Sequence, residues 1–310
     1  MTNKDVYFDQ TILTVDPLFR NMLIMAKNVA SSKASVLITG ESGTGKDLLV
    51  KYIHSNSPRA TKKIVTVGCD SVSPLDLETE IFGHENKLTG EKRIGKLELA
   101  QGSTLQIDEI SALPLALQAR LLRVFQESES LGSGFNIRIL ATSTRDLKDL
   151  VRKGEFREDL YYRLNVIPIQ IPPLRERPGD LEVLSRHFLD LISAGNGREK
   201  KVFSAQAFAK LKQWTWPGNV RELQNVISHA VLTSVNPVIQ DADVHIPEIE
   251  ERKSGSGLSP GMTVSEAEKL LILKTLEFTD QNRTHAARML GISIRTLRNK
   301  INEYKLEGVL

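Results

Sequence analysis

The glycine-rich segment at residues 40–47 has the clearest chemical use in this 310-residue sequence. It consists of Gly40, Glu41, Ser42, Gly43, Thr44, Gly45, Lys46 and Asp47. An apolar run at residues 35–39 precedes it, and a helical pattern at 48–54 follows it. Between a strand and a helix, the loop N–H groups and the positive end of the helix converge on phosphate oxygens, and the lysine reaches the β and γ phosphates. The sequence therefore predicts a nucleotide-binding loop.

Two adjacent carboxylates, Asp108 and Glu109, follow a second apolar run at residues 104–107. Beside a phosphate-binding loop, the first can hold Mg²⁺ directly or through water, and the second can act as a base toward water that attacks the γ-phosphate. Residue 47 is Asp, whereas the general phosphate-loop pattern has a Ser or Thr that binds Mg²⁺. We predict ATP and Mg²⁺ as ligands, with Asp108 as the metal ligand and Asp108 and Glu109 as the catalytic pair.

Short apolar runs rich in Val and Ile alternate with helical patterns over the first 172 residues. The runs lie at residues 35–39, 63–67, 104–107, 136–142 and 166–171. Strands separated by helices favour a mostly parallel sheet covered by helices. From Arg175 onward the strand signals stop, and helical periods at 180–194, 204–213 and 220–233 predict a smaller helical subdomain. The predicted fold class is α/β, with a small all-α domain after it.

The last 50 residues predict a DNA-binding unit. A Ser- and Gly-rich linker at 251–261 precedes an amphipathic helix at 264–278 and two helices, 284–290 and 294–304, which are joined by a turn at Gly291. Between Arg283 and Lys305 there are six basic residues and one acidic residue. A small basic dimerisation or docking module is the alternative. The predicted contacts with double-stranded DNA are Thr284, Arg295, Thr296, Arg298, Asn299 and Lys300.

Composition excludes several other classes. Apolar residues make up 40% and charged residues 25%, and the 41 basic and 38 acidic residues give a net charge of +3, as in an ordinary globular protein. No apolar run approaches the roughly 20 residues that span a bilayer, and no signal peptide is present, so we expect a cytoplasmic location without membrane contact. The single cysteine, Cys69, is expected to be a buried small hydrophobic residue.

Six motifs in this order resemble the bacterial enhancer-binding proteins, the NtrC-type AAA+ transcription activators that work with sigma-N, also called sigma-54. They lie at residues 40–46, 81–85, 102–110, 121–127, 156–166 and 216–223. The resemblance implies an AAA+ α/β subdomain at 1–172, a helical lid at 173–248, a linker at 249–262 and a Fis-type helix-turn-helix domain at 263–310. It also implies a dimer on DNA, a hexamer or heptamer of the AAA+ core, and RNA polymerase or a related activator as partner.

Further site residues follow from the same resemblance. Arg157 and Arg163 match the arginine fingers that enter the neighbouring subunit's nucleotide site and stabilise charge on the phosphates. Arg221 matches the arginine of the lid that senses phosphate occupancy. Because no receiver or sensing domain precedes the core in this sequence, we expect control by a separate protein, by nucleotide or by a domain outside this sequence.

The sequence also departs from the family at positions that matter for activity. The loop that grips sigma-N reads Gly-Ala-Phe-Thr-Gly-Ala in typical members, whereas residues 84–95 are shorter and retain only Thr89 and Gly90 of it. The second inserted loop, before residue 137, is also short. Gly68 replaces the Asn that normally restrains the catalytic Glu, and Thr144 replaces an Asn that orients water. We therefore expect Glu109 to lack its restraint and ATP hydrolysis to be slow or conditional.

Three functions remain open on this basis. The favoured one is a DNA-binding regulator with an ATP-binding core that does not act as a normal sigma-54 activator. The second is an ATP-hydrolysing activator of sigma-54 RNA polymerase that uses a divergent loop. The third is a DNA-anchored scaffold or co-regulator that assembles with a related activator.

Overall fold

The structure, a computed structural model, describes residues 7–9, 12–85, 92–130, 136–196, 199–246, 263–279 and 282–306. The chain divides into two compact units, Met1–His245 and Ile246–Leu310. The predicted linker at 249–262 lies outside the described residues, as do residues 86–91 and 131–135 of the two loops that we expect to be short.

The strands of the first unit are β1 (Tyr7–Asp9), β2 (Ile12–Thr14), β3 (Val36–Thr39), β4 (Val65–Gly68), β5 (His84–Glu85), β6 (Lys92–Arg93), β7 (Thr104–Asp108), β8 (Arg138–Ser143), β9 (Ile167–Gln170), β10 (Val202–Phe203) and β11 (Val238–Ile239). Its α-helices are α1 (Pro17–Ala30), α2 (Lys46–Ser55), α3 (Pro74–Phe82), α4 (Lys96–Leu99), α5 (Leu115–Ser130), α6 (Leu147–Arg152), α7 (Glu158–Leu164), α8 (Pro178–Gly195), α9 (Ala205–Gln213) and α10 (Asn219–Thr233). Three short 3-10 helices cover Ile110–Ala112, Leu174–Glu176 and Asp241–Asp243.

A five-stranded parallel sheet forms the centre of the first unit, in the order β4-β7-β8-β3-β9. Each of the five predicted apolar runs supplies one of these strands, which confirms the α/β prediction. Thr39 pairs with Ser143, and Gly68 pairs with Asp108, so the strands end at one common edge. The glycine-rich loop leaves β3 at that edge, and Asp108 closes β7 there.

Helices cover both faces of this sheet. On one face Leu37, Ile107 and Ala141 join a buried cluster with α3, α5 and α7. On the other, Val36 and Ile38 pack with α1 and α2. Burial on both faces explains why these strands read as continuous apolar runs. Cys69 lies in the first cluster as predicted, and its burial raises the pKa of the thiol to about 12.

In its described residues after β9, the first unit contains three helices that the sequence predicts and a strand pair that it does not. Helices α8, α9 and α10 correspond to the predicted helical periods. The expectation that strands stop after Arg175 is wrong, because β10 and β11 form a parallel pair. Each has two residues, which is too few for an alternating pattern to emerge. Helix α1 also went unpredicted, although Asp16 caps it by accepting from the N–H of Phe19 and a proline follows at its first turn.

The regular secondary structure in the described part of the second unit is helical. It comprises α11 (Val264–Phe278), α12 (Arg283–Met289) and α13 (Ile294–Leu306). The adjacent small residues Ala286 and Ala287 are buried between the helices with Leu297 and Ile301, which confirms the predicted core. Among the residues that the structure describes, no helix is both long and apolar enough to cross a bilayer.

Candidate functional site

The glycine-rich loop is shaped by backbone conformations that glycine adopts most easily. Gly45 lies in the left-handed region, with φ of 105°, and caps the N-terminus of α2 immediately before Lys46. Gly43 has φ of 75°, and a Cβ atom there would lie 2.2 Å from the carbonyl oxygen of Gly218. The loop therefore needs glycine both for its turn and for its close approach to the segment before α10.

Lys46 is buried at the base of the loop. Its ammonium group donates to the carbonyl oxygens of Gly40, at 3.0 Å, and Glu41, at 3.3 Å. It also lies 3.3 Å from Oε1 of Glu109. The lysine from one strand end and the carboxylate from another therefore meet, as the spacing predicts.

Asp108 and Glu109 are held by hydroxyl groups from β8 and the residue after it. The Thr142 hydroxyl donates to Asp108 Oδ1 at 2.5 Å and accepts from the N–H of Glu109 at 3.1 Å. Thr144 donates to Glu109 Oε2 through both its N–H and its hydroxyl, each at 2.9 Å. Gly68 has no side chain to supply the restraint expected in the family, but Thr144 holds Glu109 instead, which the sequence did not predict.

Several carboxylates lie near Asp108. Burial is the main cause that raises the pKa of Asp108, and the nearby carboxylates of Asp47, Glu109 and Asp70 raise it further, while the hydrogen bond from Thr142 opposes the shift. Carboxylates near a half-buried position can be neutralised by a bound cation, but among the residues that the structure describes no group of three or more His, Cys, Asp or Glu side chains is arranged to hold a metal ion. Asp47 is itself fixed to the sheet, because its Oδ1 accepts from Gln106 at 2.8 Å.

These groups surround a cleft of about 310 Å³. The loop, Asp70, Asp108 and Glu109 form one wall. Val220, Arg221 and Gln224 of α10 form the other, and Arg221 Nη1 donates to the hydroxyl of Ser42 at 3.3 Å. The predicted phosphate loop, carboxylate pair and sensor arginine thus share one cavity.

Arg157 and Arg163 are not among the residues that line this cleft. The exposed guanidinium of Arg157 pairs with both carboxylate oxygens of Asp159, at 3.1 and 2.8 Å, which lowers the pKa of that carboxyl. Arg163 donates to the carbonyl oxygen of Phe125 at 3.4 Å. Arg157 caps α7, and Arg163 lies within it.

In the second unit the predicted DNA contacts differ in their availability. The side chains of Thr284, Arg295, Arg298 and Asn299 are exposed. Thr296 is exposed too, but its hydroxyl hydrogen-bonds with the hydroxyl of Ser293 at 2.8 Å. Lys300 is half-buried, and its ammonium group donates to Oε2 of Glu268 on α11 at 2.8 Å.

Three family comparisons cover most of the chain. Residues 12–170 match the sigma-54 interaction domain, residues 175–258 match the AAA+ ATPase lid domain, and residues 263–304 match the bacterial regulatory protein Fis family. The chain belongs to the sigma-54 interaction domain family of transcriptional regulators. This membership confirms the resemblance and the AAA+ and helix-turn-helix fold classes that follow from it.

Curated members of this family align along nearly the whole chain. The transcriptional regulatory protein FlbD of Caulobacter vibrioides is 45% identical over 326 residues, covering 97% of this chain and 72% of that protein. The regulatory protein AtoC of Escherichia coli is 42% identical, with 96% and 68% covered, and the sigma54-dependent transcriptional activator SfnR of Pseudomonas putida is 39% identical, with 92% and 86% covered.

Solved structures of NtrX from Brucella abortus share the fold. The structure in complex with ADP is 27% identical with a TM-score of 0.71, covering 95% of this chain and 69% of that one. The structure in complex with ATP is 26% identical with a TM-score of 0.70 and the same coverage.

Several residues that contact the phosphate loop of this sigma-54 interaction domain protein were not predicted from the sequence. Arg175 binds both carboxylate oxygens of Glu41, at 2.8 and 2.6 Å, and is the main cause that lowers the pKa of Glu41. Asn219 and Arg177 also reach the loop. These residues lie more than 130 positions from the loop, so no local pattern relates them to it. The one usable signal was the motif at 216–223, in which we predict a role in the site only for Arg221.

Proposed function

We propose that this protein is a DNA-binding transcription regulator whose AAA+ core binds ATP with Mg²⁺ in the cleft between the phosphate loop and α10. The observation that carries the proposal is the convergence of Lys46, Asp108 and Glu109 on one cavity with Arg221. The N–H groups of residues 40–45 would hold the phosphates, and Lys46 would neutralise them. NtrX, of the same fold, has been solved with ATP and with ADP.

Asp108 is the proposed Mg²⁺ ligand. The carboxylates around it create a negative field that a divalent cation would neutralise, and this field is part of what raises its pKa. The bound metal would supply charge stabilisation to the β and γ phosphates. Asp47, tied to Gln106, extends the negative wall of the site.

Hydrolysis is proposed to be slow. Glu109 is the proposed base, and each of its carboxylate oxygens is engaged by a donor of the chain, Lys46 or Thr144. A base occupied in this way must release a partner before it can orient water.

The arginine fingers would act between copies of the chain. Arg157 and Arg163 do not line the cleft of their own subunit, which is compatible with a role at the phosphates of a neighbouring one. For Arg157 this requires that its pair with Asp159 opens. The proposal therefore includes a ring, a hexamer or heptamer, as the hydrolysing form.

The shortened loop at residues 84–95 is proposed to keep the protein from engaging sigma-N in the usual manner. The alternative, an activator with a divergent loop, is favoured by the base of that loop. There β5 pairs with β6, and Gly83 and Gly95 approach so closely that a Cβ atom on Gly83 would lie 2.8 Å from the Gly95 nitrogen. The paired base holds the two ends of the loop together, as an activator that uses a divergent loop would require. A scaffold that assembles with a related activator remains a third candidate, since it requires only nucleotide-dependent assembly.

The second unit is proposed to bind double-stranded DNA as a dimer on a two-fold site. Arg295, Arg298 and Asn299 are exposed on α13, the helix proposed to enter the major groove, and Thr284 and Thr296 lie at the starts of α12 and α13. Lys300 is engaged with Glu268, so we assign it to the anchoring of α13 on α11. RNA polymerase is the proposed partner at the promoter.

The deciding experiment measures ATP hydrolysis and ATP-dependent retention of sigma-N in the same preparation, above and below the assembly threshold. We expect ATP binding with slow turnover and no retention. Retention together with turnover would replace this proposal by the divergent-loop activator. If the protein did not bind ATP, the ATP binding that all three candidate functions include would be contradicted.

A further inference from the structure

The phosphate loop is bonded to the lid at four consecutive residues. Glu41 accepts from Arg175 and Asn219, and Ser42 accepts from Asn219 and Arg221. The carbonyl oxygen of Gly43 accepts from the N–H of Val220 at 3.0 Å. That of Thr44 accepts from Arg177 at 3.1 Å. In each of these hydrogen bonds both the donor and the acceptor belong to this protein.

Asn219 lies at the centre of this contact. It is fully buried, with φ of 53°, a left-handed conformation that asparagine tolerates better than most residues. Its Nδ2 donates to Glu41 Oε2 at 3.1 Å and to the carbonyl oxygen of Ser42 at 3.0 Å. Its Oδ1 accepts from the N–H of Leu174 at 2.8 Å. One amide group therefore ties the start of α10 to both the phosphate loop and the segment after β9.

Two arginines of that segment complete the contact from opposite sides. Arg175 is exposed and binds both oxygens of Glu41, an ideal bidentate geometry. Arg177 is buried, and its guanidinium carbon lies 4.6 Å from the ring centre of Phe19 on α1. The loop is thereby held from its solvent side and from its core side.

We infer that Asn219 and Arg175 are positioning residues that dock the lid on the phosphate loop and hold the loop in the conformation that receives phosphates. The inference rests on the proposed nucleotide binding and extends it. Because the hydrogen bonds from the lid end on the phosphate loop, a displacement of the lid must also move the loop N–H groups that are proposed to bind phosphate. This effect would add to any effect of the lid that is exerted through Arg221. Neither positioning residue needs to touch the nucleotide.

The test uses Asn219→Asp in the full chain. The substitution keeps the size and the acceptor for Leu174 but replaces the two donors with an anion beside Glu41, so we expect ATP binding to weaken about tenfold. Adding Glu41→Gln should recover part of that loss, because an amide then faces the new carboxylate. Arg175→Met should weaken ATP binding about threefold, whereas Arg186→Met, which breaks the exposed pair with Glu182 on α8, should leave it unchanged.

Hydrogen exchange of the Val220 amide in nucleotide-free protein provides a second readout, since this amide donates to Gly43. We expect faster exchange in Asn219→Asp than in the wild type. Wild-type exchange in that variant, or an affinity loss that Glu41→Gln leaves unchanged, overturns the inference. If the wild type bound no ATP, the proposed function would fail, and the exchange comparison would still decide the docking.

Discussion

The two regions proposed to bind ligands are built in opposite ways. In the proposed nucleotide cleft several polar side chains are bound to distant parts of the chain, as when Glu109 meets Lys46 and Thr144. On α13 the key side chains, Arg295 and Arg298, are exposed. Side chains of the cleft bind one another, so we expect the free-energy effects of substitutions there to be coupled. Side chains on α13 would contact only the ligand, so we expect the effects of substitutions there to be independent.

The largest effect is expected for Lys46→Ala. Loss of the buried ammonium group removes the charge proposed to face the phosphates and leaves Glu109 without its ion-pair partner. We expect ATP binding to weaken about 100-fold, as measured by calorimetry. Lys51→Ala, on the exposed face of the same helix, is the matched control. Binding within twofold of the wild type would remove Lys46 from the proposed site.

The contrast between the two regions also explains what the sequence could predict. The strand runs, Lys46, Asp108 and Glu109 are each marked by a local pattern, and the structure places them together. The restraint of Glu109 by Thr144 and the contact of Glu41 with Arg175 depend on which strand ends are neighbours, and a single sequence does not contain that information. The pair β10–β11 was missed for the opposite reason, because two residues are too short for any period. Lys300 looked equivalent to Arg298 in sequence, since the distant Glu268 that binds it lies 32 residues away.

The next largest effect is expected for Arg298→Ala. If α13 enters the major groove as proposed, its exposed Arg298 would contact either a base or a phosphate, and its loss should weaken specific DNA binding by about 1–3 kcal/mol. DNA affinity measured over a range of salt concentrations distinguishes the two contacts. A lost phosphate contact lowers the salt slope, which is the slope of log affinity against log salt concentration, by about 1 for any DNA sequence. Arg186→Ala removes the same charge from the first unit and should leave DNA binding unchanged. An effect of Arg186→Ala as large as that of Arg298→Ala would argue against a localised DNA surface.

A smaller effect is expected at Thr144. Thr144→Val removes the hydroxyl bond to Glu109 Oε2 but keeps the N–H bond, so the carboxylate is only partly released. We expect ATP turnover at saturating ATP to rise about threefold, with unchanged ATP affinity. Thr144→Ser, which keeps the hydroxyl, should behave as the wild type. A fall in turnover would mean that Thr144 holds Glu109 in its active position and that the slow hydrolysis has another cause.

The smallest effect is expected for Lys300→Ala, and it tests the comparison most directly. Lys300 shares the recognition helix with Arg298, but Glu268 already binds its ammonium group, and this hydrogen bond is the main cause that raises the pKa of Lys300. Because an ion pair near the surface contributes little free energy, loss of the Lys300–Glu268 pair should disturb α13 little. We expect DNA affinity to change by less than about threefold. The salt slope should stay at its wild-type value. Glu268→Gln, which frees the lysine, should leave DNA binding equal or stronger. Lys300→Ala could instead weaken DNA binding and lower the salt slope as much as Arg298→Ala. The ion pair between Lys300 and Glu268 would then have to open on DNA, and side chains of the second unit would depend on internal partners as those of the cleft do.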